Sequence, residues 1–222
     1  RGLILLGGRS DYTPQELAPL NIPYVCCSYD NQYGTLPPDS YASVSIADEE
    51  EACRAVTELY RCGHRRIAAL VSGTEDRSIS QLRYQGYVRA LAAHGLPLEQ
   101  ELVIEAGSFD IRQSYLAMQR RLLAGAQFTA LFAISDNMAI GAMRALREAG
   151  RRIPEDCSVI AIDGLTISDY INPALTTLCQ PMEHMGRRSV EILLDMVEHR
   201  GGPIRETAHT TLRTGESVRD IS

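Results

Sequence analysis

Short apolar runs alternate with amphipathic stretches along the chain, and the segment 130–164 shows the pattern most fully. Ala130-Leu131-Phe132-Ala133-Ile134 is apolar throughout and ends in Ser135-Asp136. Met138, Ile140, Met143 and Leu146 then recur at helical spacing as far as Gly150. A second run, Ser158-Val159-Ile160-Ala161-Ile162, ends in Asp163-Gly164. Runs without polar alternation fit strands of a parallel sheet covered on both faces. The segment reads as strand, helix, strand, with a carboxylate just past each strand. Open parallel sheets bind ligands outside the carboxyl ends of their strands, so Asp136 and Asp163 are expected to face one crevice.

The same pattern predicts strands over residues 2–6, 24–27, 43–46, 67–71, 102–104, 130–134, 158–162 and 176–179. Asp48 and Glu51 have the spacing of a capping box, and Glu49-Glu50-Glu51 suits a helix start, where the dipole favours negative charge. That helix points Ala52, Val56 and Leu59 inward and stops at Gly63. Asp110 and Gln113 form a similar box for a helix ending near Gly125, and Ser135 caps the helix that ends at Gly150. Pro181 opens a last long helix with Met185, Val190, Leu193, Leu194 and Val197 as its apolar stripe, ended by Gly201-Gly202-Pro203. The threonine-rich stretch 206–213 alternates weakly and reads as one edge strand. Repeated β-α-β order predicts a doubly wound, parallel α/β architecture.

Composition narrows the function. The 222 residues are 45% hydrophobic, enough for a substantial core in one or two domains. A formal charge of −6 is a poor match for a polyanion, so any DNA contact is expected outside these residues. No apolar run approaches the roughly 20 residues of a membrane span, and no signal-peptide pattern opens the chain. Arg1-Gly2-Leu3-Ile4-Leu5-Leu6 reads as the middle of a domain. Cys26, Cys27, Cys53, Cys62, Cys157 and Cys179 lie mostly in apolar patterns without a C-x-x-C, as expected of reduced thiols in a cytoplasmic protein. The five histidines form no catalytic constellation, and G-x-S-x-G, Walker and H-E-x-x-H motifs are absent. No enzyme activity, cofactor or metal is expected. His64 is read as helping to end its helix.

Several motifs then stand in one order: Gly63-His64-Arg65-Arg66-Ile67-Ala68, Arg83-Tyr84-Gln85-Gly86-Tyr87, Ser135-Asp136-Asn137-Met138-Ala139-Ile140-Gly141-Ala142, Ile153-Pro154-Glu155-Asp156-Cys157-Ser158-Val159-Ile160, Leu175-Thr176-Thr177-Leu178-Cys179-Gln180-Pro181 and Gly215-Glu216-Ser217-Val218-Arg219. From about Gly2 to Arg219 the chain resembles the effector-binding domain of LacI/GalR-type transcriptional repressors. The resemblance implies two doubly wound parallel-sheet subdomains of periplasmic-binding-protein type with the effector in the cleft. Residues 1–47 and 181–202 would form the N-terminal subdomain, and 48–180 with 203–222 the C-terminal one. It further implies a DNA-binding headpiece and two strand–helix units ahead of Arg1, leaving the N-terminal subdomain incomplete beside Leu3–Leu6.

Candidate ligand-binding residues follow. Asp163, at a strand's carboxyl end, has two oxygens for paired hydroxyl or amine donors; the alternative is a cap on the following turn. Arg83 matches a family arginine of the cleft, where a guanidinium fork can hold hydroxyls or a carboxylate. Phe109 stands at a family position that is often aromatic and can stack on a sugar or base, or fill the core. Ser135 and Asp136 are explained by helix capping alone, although the resemblance points Asp136 into the cleft. Gln180 is a hydrogen-bonding residue or a hinge brace. Ser28 and Tyr29 follow the strand 24–27, Ser28 replacing the aspartate of many relatives.

These readings make the chain an effector sensor for a sugar, nucleoside or purine, part of a homodimer that reads operator DNA through a headpiece, with no membrane association. The Met138–Leu146 stretch is expected to offer surplus apolar surface for dimerisation, with Ala142 in the interface. A periplasmic sugar-binding protein is the first rival and a Rossmann-like enzyme the second. Gly7-Gly8-Arg9-Ser10 lacks the phosphate-binding G-x-G-x-x-G spacing that the enzyme would need.

Overall fold

A computed structural model describes residues 1–222. The chain divides into two compact units. The first comprises residues 1–47, 77–79 and 180–210; the second comprises 48–76, 80–179 and 211–222.

The first unit is a four-stranded parallel sheet in the order β1 (Leu3–Leu6), β2 (Tyr24–Cys27), β3 (Ala42–Ile46), β9 (Arg205–Ala208). A short helix α1 (Pro14–Leu17) begins with a capping box between Thr13 and Glu16. Leu17 and Leu20 join a cluster with Tyr24, Cys26, Tyr29 and Tyr41. The long helix α6 (Met182–Val197) packs on β1, β2 and β3. Its buried residues are Met185, Ser189 and Ile192, whereas Val190 and Leu194 are 45% and 48% exposed. The expected stripe was therefore turned: Ser189 fits the buried face because its hydroxyl donates to the Met185 carbonyl at 2.7 Å, which removes the cost of burying it. The stretch 206–213 is not one strand. β9 pairs with β3 in this unit, and the chain enters the second unit only at β10 (Thr211–Arg213), antiparallel to β8 (Thr176–Cys179). This moves the expected boundary from 202/203 to 210/211.

The second unit holds a six-stranded sheet in the order β10-β8-β7-β6-β4-β5, where β4 is Ile67–Val71, β5 Val103–Glu105, β6 Ala130–Ala133 and β7 Ser158–Asp163. β4, β6 and the first five residues of β7 are buried at every position, as their unbroken apolar runs require. Four helices complete it: α2 (Asp48–Arg61), α3 (Ile79–Ala93), α4 (Ile111–Leu123) and α5 (Asp136–Glu148). Glycines set two close helix pairs. A Cβ built on Gly86 of α3 would lie 2.2 Å from the Glu49 carbonyl of α2, and one on Gly141 of α5 would lie 2.2 Å from the Ile111 carbonyl of α4.

The helix starts partly depart from expectation. Asp110 and Ser135 cap α4 and α5 through Gln113 N–H at 3.0 Å and Met138 N–H at 3.3 Å. Asp48, by contrast, is the first residue of α2, and its side chain serves a buried arginine. In α5 the apolar residues Met138, Ala139, Ala142, Met143 and Leu146 are all buried at 1% exposure or less. Packing on the sheet and on α4 uses most of the expected apolar surplus and leaves only Ile140 of that stripe half-buried, while Ala142 has no surface to offer a partner, which corrects its expected place in an interface.

His64 does more than end α2. Its N–H caps the helix by donating to the Leu59 carbonyl. Its buried imidazole lies 3.0 Å from Thr129 Oγ1, 2.9 Å from Ser158 Oγ and 3.2 Å from the Arg219 carbonyl, tying the carboxyl-terminal segment to the amino ends of β6 and β7. Burial holds its pKa below the ordinary value.

Candidate functional site at the carboxyl edge of the second sheet

The chain runs from β4 outward to β5, then crosses back past β4 to β6 and β7. Strand order thus reverses between β4 and β6, and the carboxyl ends beside that reversal are where a doubly wound sheet opens a ligand crevice. Arg83, on α3, lies there. Its Nη1 donates to the carbonyl of Ile134, the residue after β6, and to Asp163 Oδ1 at 3.3 Å; its Nε donates to Asp48 Oδ1 at 2.7 Å. Burial opposes the Arg83 charge, but Asp48 and then Asp163 outweigh it and hold the pKa above the ordinary guanidinium value. Burial pushes the Asp48 carboxyl up, against the pull of Arg83. A guanidinium 2.7 Å away that does not release its proton, together with the amino terminus of α2, keeps that carboxylate ionised.

Asp163 is the last residue of β7 and has φ +148°, a region a side-chain-bearing residue rarely occupies. Gly164 follows at φ +77°, and a Cβ there would meet Cys179 of β8 at 2.6 Å. The turn is therefore tight against β8 and aims a partly exposed carboxylate (19%) out from the strand end, while Arg83 behind it is 2% exposed. A strained residue with a charged side chain at a strand's carboxyl end is a candidate functional position.

The other candidates separate into three kinds. Asp136 is fully buried: Oδ1 accepts the Thr177 hydroxyl at 2.6 Å, and Oδ2 accepts the Ser168 hydroxyl at 2.7 Å and the Leu165 N–H at 2.8 Å. Fully buried and already holding three donors, it braces the turn after β7 and presents no surface to a ligand, contrary to the expectation that it faces one. Ser135 is likewise buried and spent as the α5 cap. Phe109 is half-buried in the loop that follows β5. β5 and β7 are separated by β4 and β6, three spacings of about 4.8 Å, so Phe109 stands well to one side of Asp163. In the first unit, Ser28 follows β2 with φ +70° and its hydroxyl lies 3.4 Å from Gln180 Oε1. Tyr29 is 1% exposed within the tyrosine-rich cluster, its ring 6.5 Å from that of Tyr12, so it belongs to the core rather than to a ligand surface.

The residue that sequence reasoning missed is Asp48. Its D-x-x-E spacing fits a helix cap, which masks a second role; the signal for that role is an acid two residues after a buried strand with an arginine on another helix. The first unit's cavity of about 590 Å³, between Pro23 at the amino end of β2, Met196 of α6 and Pro203, lies at the opposite end of its sheet from the carboxyl edge.

Residues 56–218 match the family model described as a periplasmic binding protein-like domain. The chain belongs to the periplasmic binding protein-like domain family. Within this family it is similar to regulators. It is 34% identical over 220 residues to the HTH-type transcriptional regulator CelR of Thermobifida fusca, covering 99% of this chain and 62% of that protein. It is 32% identical to the HTH-type transcriptional repressor CytR of Escherichia coli strain K12, covering 89% of this chain and 56% of that one. A solved complex of the transcriptional regulator CelR with cellobiose superposes with a TM-score of 0.86 at 33% identity, over 97% of this chain and 65% of that structure. A sugar-binding transcriptional regulator of the LacI family from Escherichia coli, complexed with phosphate, gives 0.82 at 28% identity, over 99% and 77%. The chain thus spans about three fifths of the curated relatives named here.

Proposed function

We propose that this periplasmic binding protein-like domain is the effector sensor of a LacI-type transcriptional regulator. It binds a small polar molecule, a sugar or a nucleoside-like compound, and thereby alters the affinity of the whole protein for operator DNA. One observation carries the ligand site: Asp163 is held at a strained strand end by a buried guanidinium, beside the strand-order reversal of a doubly wound sheet. Such a carboxylate accepts two hydrogen bonds from neighbouring hydroxyls of a sugar ring. Phe109 is a further candidate for ligand contact in the second unit, and Ser28 and Gln180 are the candidates of the first unit considered by itself. The regulators among its relatives, including one solved with cellobiose, support a sensor over a transport component.

The reading extends to a homodimer in which ligand binding shifts the population of a DNA-binding arrangement. It does so only as far as the ligand's affinity differs between arrangements. The test is a thermal-shift screen of the complete protein against neutral sugars, nucleosides and purines, followed by operator binding with each hit. A ligand at a hundredfold excess over its Kd adds about 2.7 kcal/mol of stability. A stabilising sugar or nucleoside that also changes operator affinity, and loses both effects in Asp163→Ala, supports the function. The absence of any stabilising compound, or an unaltered response in Asp163→Ala, overturns it.

A further inference from the structure

The carboxylates around Arg83 outnumber its charge. Asp48 takes Nε at 2.7 Å and Asp163 takes Nη1 at 3.3 Å, so one cation stands between two anions. The exposure is graded: the Asp48 and Arg83 side chains are 5% and 2% exposed, and only Asp163, at 19%, reaches solvent. The nearby Arg213 spends its charge on Asp169 at 2.9 Å and donates to the Leu165 carbonyl at 3.0 Å, so it does not offset the excess. What a ligand meets at the end of β7 is therefore a carboxylate backed by a guanidinium that is already neutralised from behind.

We propose that Asp48 is a positioning residue that commits the Arg83 charge inward and so sets the ligand class of this site to uncharged, hydroxyl-rich molecules that donate to Asp163, excluding phosphorylated and carboxylated analogues. Two features support this. First, Asp48 meets Arg83 at the shorter of the two carboxylate contacts, so it takes the larger share of the guanidinium. Second, the surplus negative charge repels an incoming anion in a partly desolvated setting, where a like charge is weakly screened, and such repulsion is an effective route to selectivity. The choice of a sugar as the neutral ligand rests on the function proposed above; the exclusion of anions rests only on the charges around Arg83.

The experiment measures binding of two probes, inorganic phosphate and cellobiose, to the complete protein at low salt by calorimetry, with circular dichroism to establish folding. The wild-type protein, Asp48→Asn, Asp48→Glu and Asp163→Asn are compared. Removing one negative charge several ångströms from the site is expected to tighten phosphate binding about tenfold in Asp48→Asn and in Asp163→Asn, and Asp48→Glu is expected to restore the wild-type exclusion. Phosphate affinity within twofold of wild type in the folded Asn variants overturns the proposal, and so does an Asp48→Glu protein that behaves like Asp48→Asn. If Asp48→Asn does not fold, Asp163→Asn still tests whether removing a carboxylate beside Arg83 admits phosphate, and an unchanged affinity there overturns the proposal. A wild-type protein that ignores cellobiose and every other neutral sugar sinks the sugar reading, but the phosphate comparison still decides the role of Asp48.

Discussion

Asp136 Oδ1 accepts the Thr177 hydroxyl at 2.6 Å, joining the first turn of α5 to the middle of β8. With the Ser168 hydroxyl and the Leu165 N–H on its other oxygen, this carboxylate holds the turn that follows Asp163. Its effect on a ligand is indirect. Asp136→Ala leaves two buried hydroxyls and the part-buried Leu165 N–H without an acceptor and is expected to cost about 3 kcal/mol. Urea unfolding measures the loss. Asp136→Asn keeps the shape and one acceptor oxygen, so it is expected to recover part of the stability. A loss of ligand affinity with unchanged stability in Asp136→Asn would return this residue to the ligand surface.

Arg83 is the keystone of the site and of the fold around it. Truncating it to Ala strands Asp48 in the core without its partner and leaves the Ile134 carbonyl without its donor. Breaking a buried pair by removing one member costs about 3–5 kcal/mol. Arg83→Ala is therefore expected to lower the unfolding midpoint strongly and cannot serve as a clean binding variant. Arg83→Lys keeps a charge but lacks the fork that reaches Asp48, Asp163 and the carbonyl together, so it is expected to lie between the two in stability. Chemical denaturation of the three proteins checks the order.

Asp163 allows strain and contact to be separated. Its φ of +148° is adopted freely by glycine and costs other residues about 1–3 kcal/mol. Asp163→Gly and Asp163→Ala both delete the carboxylate, so they lose the same contact with Arg83, and any difference between them reports the backbone. Asp163→Gly is expected to be the more stable by about 1 kcal/mol, with ligand binding lost equally in both. Equal unfolding midpoints would show that the strand end relaxes when the carboxylate is removed.

How much of this was legible beforehand depends on what each residue answers to. β2 and β4 carry their bounds in the sequence because parallel strands buried on both faces read as unbroken apolar runs. Asp163 was legible for the same reason: an acid ending a wholly apolar run has few structural excuses. The stripe of α6 was misread at Val190 and Leu194 because hydropathy places a serine outside, whereas Ser189 goes in by donating to the carbonyl four residues back. Asp136 and Asp48 were misread in opposite directions. Both are acids at helix starts, and local pattern cannot tell a cap, a brace and an ion-pair partner apart when the deciding partner lies 41 residues away in one case and 35 in the other. The split of 206–213 into β9 and β10 was invisible because weak alternation says nothing about which sheet receives each half.

His64 gives the fold a pH dependence whose sign can be worked out. Its imidazole is buried among Thr129, Ser158 and the Arg219 carbonyl, and burial is the largest influence on it, favouring the neutral form and lowering its pKa. The unfolded chain has the ordinary value of about 6.5. Above that pH neither state carries the proton, and His64 makes no pH-dependent contribution. As the pH falls through about 6.5 the unfolded state takes the proton first, so stability declines until the folded protein is protonated as well. His64→Asn is expected to cost about 1–3 kcal/mol at pH 7.5 by leaving buried hydroxyls short of a partner. It also removes the titration, so the stability gap between wild type and variant should narrow from pH 7.5 to pH 5.5. Urea midpoints of the two proteins across that range provide the check, and a constant or widening gap would mean that the buried imidazole keeps its proton in the fold.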